Sequence, residues 1–154
     1  MKFCRIDLSK SNYQTIPNAY ILSSVERDDR MDQLQEIYAK YCRYKNFESV
    51  MPLFLGMIFD RYTDVIGYTD NNKLVAFSLV KRYDRENAES LQFAWDYSNP
   101  DIMLGIASIK HECAYYKQQG YKYLYLGQVN KYKEQFEGYE VLGPIDGHIS
   151  HLVR

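Results

Sequence analysis

Apolar residues recur along this chain in two rhythms, one of alternate positions and one of every third or fourth, and the changes between them mark out its elements. Ala19 to Val25 (AYILSSV) reads as a strand. After it, Asp28 or Asp29 is placed to cap a helix to about Tyr44, because Met31, Leu34, Ile37, Tyr38, Tyr41 and Cys42 share one helical face. The stretch SVMPLFLGMIFDRY reads as helical or irregular in its second part. Thr63 to Tyr83 then holds two β-rich runs around Asp70-Asn71-Asn72-Lys73, whose turn chemistry predicts a hairpin. AESLQFAWDY supplies another strand, with Leu91, Phe93 and Trp95 expected on one side.

From about Met103 to Gln119 the rhythm is helical, and Gly120 stands where a left-handed C-terminal cap is expected. YKYLYLG returns to strand, Asn130 caps a short helix through Phe136, and YEVLGPIDGHISHLVR reads as a last strand pair around Pro144 and Gly147. This order predicts one domain over 1–154 of class α+β (α/β). Its sheet is mixed and mostly antiparallel, with a crossover helix in the second half.

Composition narrows the function classes. Hydrophobic content of 46% and charged content of 25% are those of an ordinary globular chain. No apolar run approaches the ~20 residues of a membrane helix, and Met1 to Arg5 opens no signal peptide, so a cytoplasmic protein is expected. Cys4, Cys42 and Cys113 are odd in number and scattered, which points to reduced thiols and to no metal site. Nineteen basic residues against 20 acidic weigh against a protein whose main task is to grip nucleic acid. The sixteen tyrosines suit strands and half-buried positions, or an aromatic binding surface.

Candidate chemistry concentrates after Trp95. Gly105 and Ala107 fall in the first turn of the Met103 helix, where unpaired amides and the positive end of the helix dipole favour an anion. Strand, then Gly-x-Ala opening a helix, then strand and short helix, resembles the GNAT superfamily of N-acyltransferases. From Leu91 to Leu142 the chain is similar in particular to the GNAT-like C-terminal domain of the arginyl- and leucyl-tRNA-protein transferases. Asp96, Gly105, Ser108, Tyr125, Leu126, Gly127, Tyr132, Lys133 and Phe136 match that pattern. The GNAT loop commonly opens with Gln or Arg, where this chain has Ile102, and the transferases tend to have Arg-Pro where it has Glu137-Gly138.

The resemblance implies a GNAT-like fold whose central strands, Leu91 to Tyr97 and Tyr121 to Leu126, splay apart around a donor. Leu104, Gly105, Ile106, Ala107, Ser108 and Lys133 would then bind the donor. Asp96 would orient or deprotonate an amine, or simply close the turn DYSNPD. Tyr132 would protonate the leaving group, or pack. His148 and His151 have no acidic partner at a telling spacing, and His111 lies on the helix body, so none is taken as the base.

Three functions follow. The first is transfer of an acyl group from acetyl-CoA or another acyl-CoA to a primary amine of a small molecule or protein N-terminus. It is favoured by the charge balance and by the want of the cysteine-bearing N-terminal domain usual in the transferases. The second uses aminoacyl-tRNA, with a basic groove of Lys110, Lys117, Lys131 and Lys133 joined by Lys81, Arg82 and Arg85. The third is a non-catalytic binding or scaffold protein.

Overall fold

The computed structural model describes residues 2–46 and 55–144. Its strands are β1 Lys2–Asp7, β2 Ala19–Ile21, β3 Thr63–Asp70, β4 Lys73–Arg82, β5 Asn87–Trp95, β6 Tyr123–Gln128 and β7 Tyr139–Pro144. Helices are α1 Ser24–Asp29, α2 Met31–Lys45, α3 Leu55–Ile58 and α4 Leu104–Gln118. The strands form one sheet in the order β2-β3-β4-β5-β6-β1-β7. All neighbours are antiparallel except β5 and β6, which α4 links by a crossover. Fold class and the mixed, mostly antiparallel sheet are as the rhythm predicts. Gly147, His148 and His151 lie outside the described residues, as does most of SVMPLFLG.

Helices cover both faces of the sheet. On one, α4 packs Leu104, Ile109, Cys113 and Tyr116 against Ile66, Tyr68 and Ala76. On the other, α2 packs Leu34 and Ile37 against Val65, Phe77 and Leu79. Each such fully buried aliphatic side chain stabilises the fold by about 2 kcal/mol. No helix among the described residues is long and apolar enough to cross a membrane.

The hairpin forms as expected, with Asp70 paired to Lys73 and both Asn71 and Asn72 at positive φ. That is the two-residue turn whose twist matches the strands.

Two local expectations need correction, and one strand was not expected. The N-terminal strand β1 does not stand out in the sequence, yet it lies between β6 and β7. Charged residues mask its pattern, and the structure neutralises one of them: Arg5 pairs with Glu140 at 2.9 Å and lies 3.6 Å over the Tyr123 ring. The helix expected to Tyr44 is α2, but neither Asp28 nor Asp29 caps it, as both lie in α1. Helix α1 cuts the strand expected over Ala19–Val25 short at Ile21 and starts at Ser24 because Ser23 and Glu26 form a reciprocal capping box. Leu91 does not share a side with Phe93 and Trp95. The β4–β5 register shifts between Leu79 and Val80, so Leu91 is an extra residue that turns to the α2 core while Phe93 and Trp95 face the α4 core.

Candidate active site

That bulge sits where the sheet comes apart. β5 and β6 pair over only three positions, Asn87–Tyr123, Ala88–Leu124 and Glu89–Tyr125. Beyond them β5 runs on to Trp95 and β6 to Gln128 without pairing to each other, and the gap opens into a cavity of about 450 Å³. Its walls come from Ser90 to Phe93 of β5, Leu126 of β6, Tyr41 and Lys45 of α2, and one face of α4. The predicted splay is present.

The α4 face presents Gly105, Ser108, Ile109 and Glu112 to the cavity, a spacing of three, four and seven residues along one side of a helix. Glu112 is the residue that sequence reasoning missed as chemistry. It is 1% exposed, and neither carboxylate oxygen has a hydrogen-bond partner of good geometry, although the Ser90 and Ser78 hydroxyls are near enough to favour its charged form. Burial outweighs them and pushes its pKa up to about 7. A carboxyl group half-ionised at neutral pH and facing a cavity is equipped to accept a proton. Its place was foreshadowed by its spacing of seven from Gly105.

Tyr132 and Lys133 line the cavity from a 3-10 helix, Lys131–Gln135, which Asn130 caps through the Tyr132 amide. Burial and the nearby Glu112 raise the Tyr132 pKa, so its phenol holds a proton that it can donate. Lys133 is more than a solvated lysine: its Nζ donates to the Leu126 carbonyl at 2.7 Å and to that of Gln128 at 2.9 Å, which leaves one of its three protons for a ligand in the cavity.

At the start of α4, Met103 has φ 48° and no side chain caps the helix. Its carbonyl receives the Ile106 and Ala107 amides, which leaves those of Leu104 and Gly105 as the outward donors of the first turn. A Cβ added to Gly105 would meet nothing within 4 Å, so this glycine faces open space and does not serve close helix-sheet packing. The Leu104 side chain is in the core, and Ala107 packs against it. Ser108 donates its hydroxyl to the Gly105 carbonyl at 3.1 Å.

Asp96 is outside the cavity lining; its Oδ1 accepts the Ser98 amide at 2.9 Å, closing a turn. His111 is buried on another side of α4. Its Nδ1 accepts the Ile16 amide, and burial lowers its pKa to about 4, which leaves the ring neutral.

The cations expected to form a basic groove do not converge. Lys110 lies 5.5 Å from the Tyr13 ring, Lys117 donates to the Ser11 carbonyl, Arg82 pairs with Asp64 at 3.3 Å, and Lys81 lies 5.9 Å from the Tyr83 ring. Of the predicted set only Lys133 lines the cavity, where Lys45 of α2 joins it. At the mouth, Tyr44 stacks on Tyr97 at 3.7 Å and Tyr97 on Trp95 at 4.1 Å, with Tyr97 held at φ 56°. The three cysteines are buried free thiols, and no cluster suited to a metal ion is found among the described residues.

Residues 16–143 match the family described as "Arginine-tRNA-protein transferase, C terminus". No curated protein matches the chain in sequence. Among solved structures, the C-terminal domain of a putative lysylphosphatidylglycerol synthetase from Agrobacterium fabrum superposes with TM-score 0.65 at 13% identity, over 83% of this chain and 46% of that one. L-PGS from Bacillus licheniformis gives 0.60 at 12% identity, over 83% and 46%. A putative acetyltransferase of the GNAT family from Novosphingobium aromaticivorans gives 0.59 at 15% identity, over 92% and 59%. The chain spans about half the length of these structures, and at such identities the likeness establishes the fold they share.

Proposed function

We propose that this chain, which belongs to the family of the arginine-tRNA-protein transferase C terminus, moves an aminoacyl group from an aminoacyl-tRNA to a primary amine, with Glu112 as general base and Tyr132 as general acid. The observation that carries this reading is the unpaired Glu112 carboxylate, buried at the wall of a cavity opened by the parted strands. An acceptor amine enters as ammonium and gives one proton to Glu112. Its lone pair attacks the ester carbonyl, forming the C–N bond. The tetrahedral intermediate collapses by breaking the C–O bond; the leaving ribose oxygen takes the Tyr132 proton, and the second proton shed by the nitrogen as the amide forms restores the Tyr132 phenol. Asp96, held in its turn, is left as a positioning group for the loop between β5 and α4.

The donor choice draws on the family and on the mouth of the cavity. In the Tyr44–Tyr97–Trp95 stack Trp95 is buried and Tyr97 lies between the other two rings, so the exposed Tyr44 ring is the one that offers a flat face to a nucleotide base. Of the cations expected to form a basic groove only Lys133 lines the cavity, which weighs against this donor, so the choice rests chiefly on the family.

A second reading keeps base and acid and uses acyl-CoA. It is favoured by the uncapped start of α4, where Gly105 leaves room for a phosphate on the first-turn amides. The two are separated by incubating the protein and an amine-bearing peptide with a radiolabelled aminoacyl-tRNA pool and, separately, with labelled acetyl-CoA. Label on the peptide from tRNA, lost in Glu112→Gln, is the expected result. Label from acetyl-CoA alone overturns the first reading in favour of the second. Transfer from neither donor, with no thermal stabilisation by either, would leave the binding-protein function.

A further inference from the structure

The structure assigns Lys133 a positioning role: we propose that its ammonium, gripped by the carbonyls on either side of Gly127, locks the outer end of β6 away from β5 and holds Tyr132 in the cavity. The part of this that concerns Tyr132 rests on the reaction proposed above; the lock itself does not.

The parted strands leave a backbone problem. Peptide carbonyls on β6 past the Tyr125 pairing are not met by a β5–β6 ladder, which matters most at the buried Leu126, where an unsatisfied carbonyl is costly; Gln128 is exposed. Gly127 adopts φ 78°, a conformation that costs an L side chain energy, and a Cβ there would meet nothing, so backbone conformation and not crowding calls for glycine. This left-handed residue lies between the two carbonyls, Leu126 and Gln128, that share one Nζ at 2.7 and 2.9 Å. An ammonium carries three donors and no acceptor, so it satisfies both carbonyls at once and leaves one proton over.

The lock reaches the site through the chain itself. Lys133 follows Tyr132, its amide donates to the Asn130 carbonyl at 3.0 Å, and the Asn130 side chain receives the Tyr132 amide at 3.2 Å. Tyr132 is thus held from both sides, by the Asn130 cap and by the Lys133 anchor. It is 45% exposed, so packing alone does not fix it.

The test compares wild type with Lys133→Met, Lys133→Arg, Tyr132→Phe and the double variant Lys133→Met/Tyr132→Phe, all in the full chain. Peptide-level hydrogen exchange across 126–136 should accelerate about tenfold or more in Lys133→Met, with β3 and β4 unchanged, and should stay near wild type in Lys133→Arg, which keeps the donors. Wild-type exchange in that segment of Lys133→Met overturns the lock, as does an equal acceleration throughout the chain. Should Lys133→Met fail to fold, Lys133→Gln is read by the same two criteria.

The kinetic arm asks whether the lock acts through Tyr132. The double variant should have a kcat within about threefold of Tyr132→Phe alone, since an anchor has nothing left to position, whereas fully additive losses would overturn that connection. A protein with no measurable transfer still yields the exchange result, so failure of the proposed reaction and failure of the lock are distinguishable.

Discussion

The hydroxyls of Tyr68 and Ser78 lie 3.0 Å apart in the buried layer between β3 and β4, next to the carboxyl of Glu112. Ser78 favours ionised Glu112, and burial opposes it more strongly. The carboxyl therefore titrates at about 7 in the folded chain, against the ordinary 4.5. Between these two values the folded state holds the proton that the unfolded state has released, so stability falls as pH rises through that window. The fall amounts to ~3 kcal/mol at most, at 1.4 kcal/mol per unit. Glu112→Gln should flatten the dependence of unfolding free energy on pH between about 4.5 and 7, measured by urea titration.

Transfer activity should follow the same group in the useful sense. As a base, Glu112 works only when ionised, so kcat/KM should climb with pH through about 7. Ser78→Ala, by removing a donor that favours the ionised form, should move that limb upward. An unmoved limb in this variant would remove Ser78 from the account.

Tyr132→Phe removes the proposed acid and leaves the cavity lined by a ring of the same shape. A loss of ~10²-fold in kcat with donor affinity unchanged is expected, since general acid catalysis is worth about that much. Comparing single-turnover rates with donor binding measured separately would show it. A tighter or weaker complex at unchanged kcat would make Tyr132 a binding residue instead.

Gly105 divides folding from binding. Because a Cβ there meets nothing and the residue is helical, Gly105→Ala should raise stability by about 0.5 kcal/mol. Gly105→Glu should fold as well but abolish stabilisation by an anionic donor, read as a lost thermal shift in the presence of that donor.

Tyr116 supplies the control. Its hydroxyl donates to Asp64 at 2.6 Å, and Asp64 also holds Arg82, on a part of α4 that does not line the cavity. Tyr116→Phe should cost about 2 kcal/mol, a midpoint change of roughly 5 °C, and leave turnover per folded molecule unaltered.

Much of this fold was legible because its elements obey their own periods. The Asn71-Asn72 hairpin, the α2 face carrying Leu34 and Ile37, and the Gly120 end of α4 each follow from local rules that no distant contact overrides. The failures have equally local causes. Ser23 and Glu26 were a capping box available to be read, and β1 was obscured by Arg5, whose charge is answered by Glu140, 135 residues away in the chain.

The site was legible in part. A glycine at the start of a helix and a Tyr-Lys pair after a strand directed attention to Gly105, Tyr132 and Lys133, and all three line the same cavity. What each does there was not available from spacing, since Lys133 is fixed by the Leu126 and Gln128 carbonyls of β6, beyond the point where β5 and β6 part.

The sequence by itself determined most of the element order after α1, the mixed sheet and the family resemblance, because periodicity, turn residues and motif spacing are properties of the chain's neighbours in sequence. The tertiary structure alone decided that Glu112 is a candidate base and that Asp96 lies in a turn outside the cavity. Proton affinity depends on what surrounds a carboxyl group, and burial at the parted strands, opposed by Ser78 and Ser90, exists only once β4, β5 and α4 have come together.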